Sequence, residues 1–170
     1  MISLNEINEL DELEHKDAVY HAALHYITQG IYVIPLRQNS KQLPVASYNI
    51  NYGSASKKKS VIEKWFNPEN GKFAGWNIGI ACGRSSGVFA VDIDISDEAN
   101  GFDSWNEFET EFGKVNAPTQ ETPRGGVHLI FQWQENAVSS TGKIGEGIDT
   151  RGGEENKCKS HIVVYPSIVN

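Results

Sequence analysis

The sequence predicts an α+β fold with a largely antiparallel sheet. Helical and strand patterns are mixed along the chain without the strict βαβ alternation that builds a parallel sheet. Pairs of apolar runs flank short glycine-containing turns at 83–87 and 123–126, a pattern typical of hairpins. With 170 residues, 39% of them hydrophobic, the chain can bury a core without disulfides or a structural metal.

The helical segments are predicted from apolar periodicity and capping residues. Asp17 is the expected N-cap of a helix that runs to residue 29, and Gly30 fits the C′ position behind it. A short helix is expected over 57–66. A further one is expected over 102–112, where aromatic residues recur every three or four positions.

Short apolar runs predict the strands. We expect 76–82 to pair with 88–95 as an antiparallel hairpin, and 118–122 to pair with 127–133 in the same way. The proline at position 35 puts its strand near an edge of the sheet or near an end of the strand. The remaining expected strands cover residues 31–36 and 161–165, and a short strand and turn is expected over 147–152.

Charge is unevenly distributed within a formal net charge of −7. Residues 1–17 hold six acids and one lysine, and we expect them to form a mobile acidic lead-in or the first turns of a helix. Residues 88–113 hold eight acids and neither Lys nor Arg. The net charge argues against a phosphate-backbone partner, but divalent cations bound at an acidic centre would reverse the local sign. An acidic surface helix with an acidic tail explains the same distribution.

Several classes of protein are excluded. The sequence contains no run of 18 apolar residues, and residues 1–17 lack the apolar core of a signal peptide. Cys82 and Cys158 are too few for a disulfide scaffold, which favours a reducing cytoplasm. Cys158 and His161 supply two of the about four ligands of a structural zinc site, so we expect no zinc.

Asp92 and Asp94 form the first candidate site. They lie two residues apart in an almost continuous apolar strand, so their side chains project from the same face. Buried carboxylates are costly unless they are paired or bound to metal, and two neighbouring ones repel each other. This favours a bridging Mg²⁺ or Mn²⁺ ion, whereas an open sheet with both aspartates in water is the alternative.

Two further motifs combine glycines with polar side chains. In residues 122–128 (TPRGGVH), the glycines allow close approach of a ligand, and His128 could reach a phosphate. In residues 147–152 (GIDTRG), Asp149 beside Arg151 could complete a two-metal site with a phosphate clamp. The alternatives are an ordinary glycine hairpin with a half-buried histidine, and a local surface ion pair.

The order of the motifs is more specific than any one of them. The series along the chain is Gly30-x-x-Val33-x-Pro35, Lys41-x-x-Pro44, Trp65, Asn77-Ile-Gly-Ile80, Asp92-Ile-Asp94, Gly125-Gly126-x-His128, Asp149-x-Arg151-Gly152 and Pro166-Ser167. From about residue 18 to residue 167 it resembles the primase–polymerase domain of bifunctional DNA primase/polymerases of plasmids, phages and prophages. That domain belongs to the archaeo-eukaryotic primase superfamily.

The resemblance implies a fold and a site. The fold joins an α/β half to an RRM-like half, with the site in the cleft between them. Three acids would hold two divalent ions, Mg²⁺ or Mn²⁺, and the second motif's histidine would contact the phosphates of the incoming nucleotide. Nucleotidyl transfer also needs cationic donors on the triphosphate. The expected metal ligands are Asp92, Asp94 and Asp149, and the expected nucleotide-binding residues are His128, Arg151, Lys41 and Arg124.

The implied function is template-directed nucleotidyl transfer in the replication of a mobile element. Expected partners are a single-stranded DNA template, a primer, and dNTP or NTP, with no membrane. We expect residues 18–170 to form the catalytic domain, as the N-terminal piece of a longer protein with a helical or helicase region. The alternatives are a non-catalytic nucleic-acid-binding replication module and a metal-dependent nuclease or phosphohydrolase.

Overall fold

The computed structural model describes residues 2–97, 99–154 and 158–170. It contains helices and two antiparallel sheets, which confirms the predicted α+β class. Two short 3-10 helices, Ala46–Tyr48 and Tyr52–Ser54, lie between the first strand and the third helix. The other elements are α1 (Leu4–Asp11), α2 (His15–Thr28), β1 (Val33–Leu36), α3 (Lys59–Phe66), β2 (Asn77–Cys82), β3 (Val88–Ile93), α4 (Gly101–Phe112), β4 (Thr119–Glu121), β5 (Val127–Gln132), β6 (Ser140–Gly145), β7 (Ile148–Arg151) and β8 (Ser160–Val163).

The acidic N-terminal segment forms helix α1, which begins with a capping box between Ser3 and Glu6. The predicted N-cap at Asp17 is wrong, because α2 already begins at His15 with Glu14 before it. Asp17 instead lies in the first turn, where its negative charge interacts favourably with the positive end of the helix dipole. Helix α2 runs through the predicted domain boundary at 17/18, and that boundary stays a prediction. No described helix is long and apolar enough to span a membrane.

The smaller sheet has the strand order β1-β2-β8. Its central strand β2 is buried along its whole length, and α2 packs against β1, β2 and α3. Pro35 lies on β1 at the edge of this sheet, as predicted, where its missing N–H costs no hydrogen bond in the ladder.

The predicted hairpin of 76–82 with 88–95 is wrong. Strand β2 belongs to the smaller sheet, and β3 lies at the centre of a five-stranded sheet of order β4-β5-β3-β7-β6. A single bridge, Gly83 with Val88, remains between the two strands. Both strands are apolar, so each pairs with partners distant in sequence along both of its edges, and the chain crosses from one sheet to the other at 83–87.

The two faces of β3 have different neighbours. Val91 and Ile93 pack with Trp105 of α4, which covers one face of the larger sheet. Val88 and Ala90 project from the opposite face and belong to the core shared with α2 and the smaller sheet. Because side chains alternate along a strand, this second face continues to position 92.

The hairpin of β4 and β5 around 123–126 is confirmed. Residues 140–145, for which no strand was predicted, form the edge strand β6 beside β7. Four of the six residues of β6 are exposed, so the apolar alternation that would have predicted a strand is absent.

Gly152 follows β7 in a closely packed position. A Cβ atom there would lie 2.3 Å from the carbonyl oxygen of Ala137, whereas a Cβ at Gly153 would meet nothing within 4 Å. We therefore expect Gly152→Ala to lower the free energy of unfolding by about 1–3 kcal/mol, the usual cost of overpacking. Gly153→Ala is the matched control, with a change expected within about 0.5 kcal/mol. Urea denaturation measures both, and equal stabilities of the two variants would contradict this packing argument.

Candidate active site

Asp92 lies in β3, the central strand of the five-stranded sheet. It is directly opposite His128 on β5 and Asp149 on β7. Paired positions of neighbouring antiparallel strands present their side chains on the same face, so the three groups form a row across the sheet. Arg151 lies two residues after Asp149 and therefore shares that face.

The row is held together by ionic contacts. One oxygen of Asp92, Oδ1, lies 3.3 Å from Nε2 of His128. The other, Oδ2, accepts a hydrogen bond of 3.2 Å from Nη2 of Arg151, and the same nitrogen donates to Oδ2 of Asp149 at 3.0 Å. Burial by itself would raise the pKa of Asp92, but His128 and Arg151 lower it below its ordinary value. Asp92, whose side chain is 8% exposed, is therefore a buried ionised carboxylate held between the imidazole of His128 and the guanidinium of Arg151.

Asp94 follows β3 and has a different partner. Its Oδ1 lies 3.3 Å from Nη2 of Arg124, whose side chain is 65% exposed. Its backbone is fixed more firmly, since its N–H donates to the carbonyl of Gly147 and its carbonyl accepts from Gly101. The two aspartates predicted to share a face do so, but within separate ion pairs.

A cleft of about 630 Å³ opens in front of this face. It brings together every predicted site residue except Asp149, which contacts the others through Arg151. The lining residues that were predicted are Lys41, Asp92, Asp94, Arg124, His128 and Arg151.

Tyr52 and His161 also line the cleft and were not predicted as site residues. The His161 ring lies 5.6 Å from the Tyr52 ring, and its Nε2 is 2.7 Å from the carbonyl oxygen of Lys41. Burial lowers the pKa of His161, so the ring is neutral, its Nε2–H donates to Lys41, and its buried Nδ1 has no hydrogen-bond partner. Neither residue belongs to a recognisable motif, and only the packing of β8 against the loop after β1 brings them to the cleft.

The carboxylate oxygens of the site are the type of ligand that hard divalent cations bind. Within residues 2–97, 99–154 and 158–170, no group of three or more His, Cys, Asp or Glu side chains is arranged to hold a metal ion. The carboxylates of Asp92 and Asp149 nevertheless converge on one position, which Nη2 of Arg151 takes at 3.2 and 3.0 Å from them. Oxygen ligands converging on a cationic position are what Mg²⁺ and Mn²⁺ require.

The fold and the cleft define a class of protein. The chain has two antiparallel sheets with helices, and a row of Asp92, His128 and Asp149 beside the cleft. These features agree with the archaeo-eukaryotic primase fold. The family model described as "Bifunctional DNA primase/polymerase, N-terminal" (Prim-Pol) matches residues 23–170. The chain belongs to this family, which confirms the resemblance found in the sequence. A search of curated proteins found no match.

The ion pairs of Asp92 predict a pH-dependent stability. Its pKa is lower in the folded than in the unfolded protein, so its contribution is present above the unfolded pKa, ~3.9, and is lost as the pH falls through the folded value. At pH 7, Asp92→Asn should destabilise the fold by about 1–3 kcal/mol, because it leaves His128 and Arg151 without their buried partner.

Urea unfolding of wild type and Asp92→Asn at pH 7 and pH 3 checks this. The difference between them should shrink at pH 3, which lies below the unfolded pKa, because protonation of the unfolded chain then removes part of the wild-type contribution. Glu107→Gln, an exposed acid on α4, is the control and should behave as wild type at both pH values. A difference for Asp92→Asn of the same size at both pH values would contradict the assignment of these ion pairs.

Proposed function

We propose that this chain is the catalytic domain of a DNA primase/polymerase that adds nucleotides to a primer directed by a single-stranded template. The family is one of DNA primase/polymerases, and the proposal concerns what this chain does at its own cleft. The observation that carries it is the row of Asp92, His128 and Asp149 at paired positions of three strands, with Arg151 beside it. In the reaction, the primer 3′-oxygen would bond to the α-phosphorus of the nucleotide while the bond to pyrophosphate breaks.

Asp92, Asp94 and Asp149 would hold two divalent ions, Mg²⁺ or Mn²⁺. Such ions, when bound, lower the pKa of the primer hydroxyl and stabilise the leaving pyrophosphate. The protein's own contribution is to keep the ligands ionised and oriented. His128 and Arg151 do this for Asp92, and hydrogen bonds of Asp94 with Gly147 and Gly101 fix the backbone that carries the second carboxylate.

Nitrogen donors in and around the row of Asp92, His128 and Asp149 would bind the triphosphate. His128 lies within the row and Arg151 beside it, while Lys41 and Arg124 line other parts of the same cleft. The carbonyl of Lys41 is held by His161, which fixes the backbone from which the lysine side chain extends. Donors that are already positioned stabilise phosphate charge without reorganising during the reaction.

The size of the cleft suits a small-molecule substrate. Its volume of about 630 Å³ falls in the range of roughly 300–1,000 Å³ typical of ligand pockets. A nucleoside triphosphate would lie with its phosphates at the acidic row, and the choice between dNTP and NTP is left to experiment. We further propose that the protein acts in the cytoplasm in replicating a mobile element, with a helical or helicase region as partner.

Replacing the carboxylates tests the proposed metal ligands. Asp92→Asn, Asp94→Asn and Asp149→Asn should each reduce primer extension on single-stranded template by at least about 100-fold, because a neutral amide is a poor ligand for these ions. Extension is measured with Mg²⁺ and with Mn²⁺, each with dNTPs and with NTPs. Glu107→Gln, on the helix covering the other face of the same sheet, should retain wild-type activity. Any one of the three aspartate variants retaining near-wild-type extension would remove that residue from the ligand set.

The same assay distinguishes nucleotidyl transfer from the two alternative functions that the sequence leaves open. A wild-type chain that binds single-stranded DNA but incorporates no nucleotide under any of these conditions is a non-catalytic replication module. A chain that degrades the template or releases inorganic phosphate from dNTP is a nuclease or phosphohydrolase. Incorporation with release of pyrophosphate supports the proposal against both.

His128→Ala tests the phosphate contact. A charge-assisted hydrogen bond is worth about 1.5–3 kcal/mol, so dNTP affinity should fall roughly 10- to 100-fold. Calorimetric titration with dATP and Mg²⁺ measures the change. His21→Ala, at an exposed histidine of α2, is the control and should bind like wild type. An unchanged dATP dissociation constant for His128→Ala would make this histidine a structural partner of Asp92 only.

A further inference from the structure

We infer that the guanidinium of Arg151 takes the place of a divalent ion between Asp92 and Asp149. When an ion binds there, the guanidinium moves to the triphosphate of the bound nucleotide. The inference rests on the proposed function and goes beyond it. Metal and nucleotide would bind in a coupled way, and Arg151 is the side chain that couples them.

The contacts of Arg151 single out one position between the carboxylates. Both of its hydrogen bonds to them come from the same nitrogen, Nη2, at 3.2 Å from Asp92 and 3.0 Å from Asp149. A guanidinium has five N–H donors, so most of its hydrogen-bonding capacity is not used in these two bonds. The side chain also lines the cleft and is 30% exposed, so a phosphate in the cleft can reach the guanidinium.

A divalent ion and this guanidinium nitrogen cannot share the position. Mg²⁺ lies 2.0–2.1 Å from its oxygen ligands, so an ion bound by both carboxylates would occupy the space that Nη2 takes. Two positive charges at such a distance also repel strongly inside a protein. Loading of the ion therefore requires the guanidinium to leave the two carboxylates.

Only the side chain of Arg151 is free to make that movement. The next residue, Gly152, donates its N–H to Oγ of Ser139, and its carbonyl accepts hydrogen bonds from Ser139 and Ser160. A Cβ at Gly152 would lie within 2.3 Å of the Ala137 carbonyl, so the backbone is closely enclosed. The arginine side chain therefore turns about a fixed point, and its charge stays in the cleft.

The released guanidinium would find its new partner in the triphosphate. Bidentate pairing with phosphate is among the strongest charge-assisted contacts that arginine makes. Ion binding thus makes the arginine available for the nucleotide, and by linkage, nucleotide binding favours the ion by the same factor. Without an ion, Arg151 stays with the aspartates and contributes little to nucleotide affinity.

Titration with Mn²⁺ tests the first half of the inference. The free ion is measured by its electron paramagnetic resonance signal, without nucleotide, for wild type, Arg151→Gln and Arg124→Gln. Arg151→Gln should bind Mn²⁺ about 10-fold more tightly than wild type, because the competing charge is gone. Arg124→Gln removes the same charge from the same cleft but from an exposed pair with Asp94, so a change of less than about 2-fold is expected. Equal or weaker Mn²⁺ binding by Arg151→Gln, or equal gains in both variants, would overturn the inference.

Titration with dATP in the absence of template and primer tests the second half. In Mn²⁺, Arg151→Gln should weaken dATP binding at least about 10-fold, whereas without a divalent ion the loss should be below about 2-fold. The same loss under both conditions would mean that Arg151 contacts the phosphates whether or not an ion is present, which overturns the exchange.

The two arms separate this inference from the proposed function. If wild type binds Mn²⁺ but no nucleotide, the proposed function fails, while the gain in Mn²⁺ affinity in Arg151→Gln still decides whether Arg151 competes with the ion. A wild type that binds no Mn²⁺ at all overturns both. Circular dichroism melting checks that each variant is folded. If Arg151→Gln is not, Arg151→Met, which also removes the charge but keeps a long side chain, is scored by the same two titrations.

Discussion

The burial of one ionised carboxylate, Asp92, constrains the rest of this structure. Its side chain is 8% exposed at the centre of a five-stranded sheet, where an unpaired charge would be very unfavourable. The sheet supplies a polar partner from each side, the imidazole of His128 from β5 and the guanidinium of Arg151 from β7. The order β5-β3-β7 is therefore an electrostatic arrangement as much as a hydrophobic one, since an exchange of either neighbour would remove one of the carboxylate's two partners.

The same face of the sheet serves both packing and chemistry. Val88 and Ala90 project toward the core shared with the smaller sheet, and Asp92 follows on the same face where the cleft opens. The opposite face is covered by α4 through Trp105. The residues that hold the sheets together thus continue directly into those that line the cleft, and the row of Asp92, His128 and Asp149 lies on three paired strands rather than on a loop.

Charge balance within the cleft links binding to chemistry. Each aspartate of the proposed metal site is engaged by a cation of the chain, Asp92 and Asp149 by Arg151, and Asp94 by Arg124. These cations stabilise the folded protein as it stands, and they are the groups that a triphosphate would attract. The ion pairs of the two arginines differ in strength, because Arg151 bridges two carboxylates near the core while the side chain of Arg124 is 65% exposed. Another part of the cleft lining is uncharged, because a neutral His161 holds the backbone of Lys41 there.

The amino-acid sequence by itself determined the class of fold, most of the elements and the family. It also determined that Asp92 and Asp94 share a face, because the alternation of side chains along a strand is a local property. Only the tertiary structure decided which strands pair, and it placed β2 and β3 in different sheets instead of one hairpin. It likewise decided that Arg151 reaches Asp92, 59 positions earlier in the chain, and that His161 reaches Lys41, 120 positions earlier. The physical reason is that an apolar strand can satisfy its edges with any strand of similar character, so its partners are selected by the packing of the whole chain.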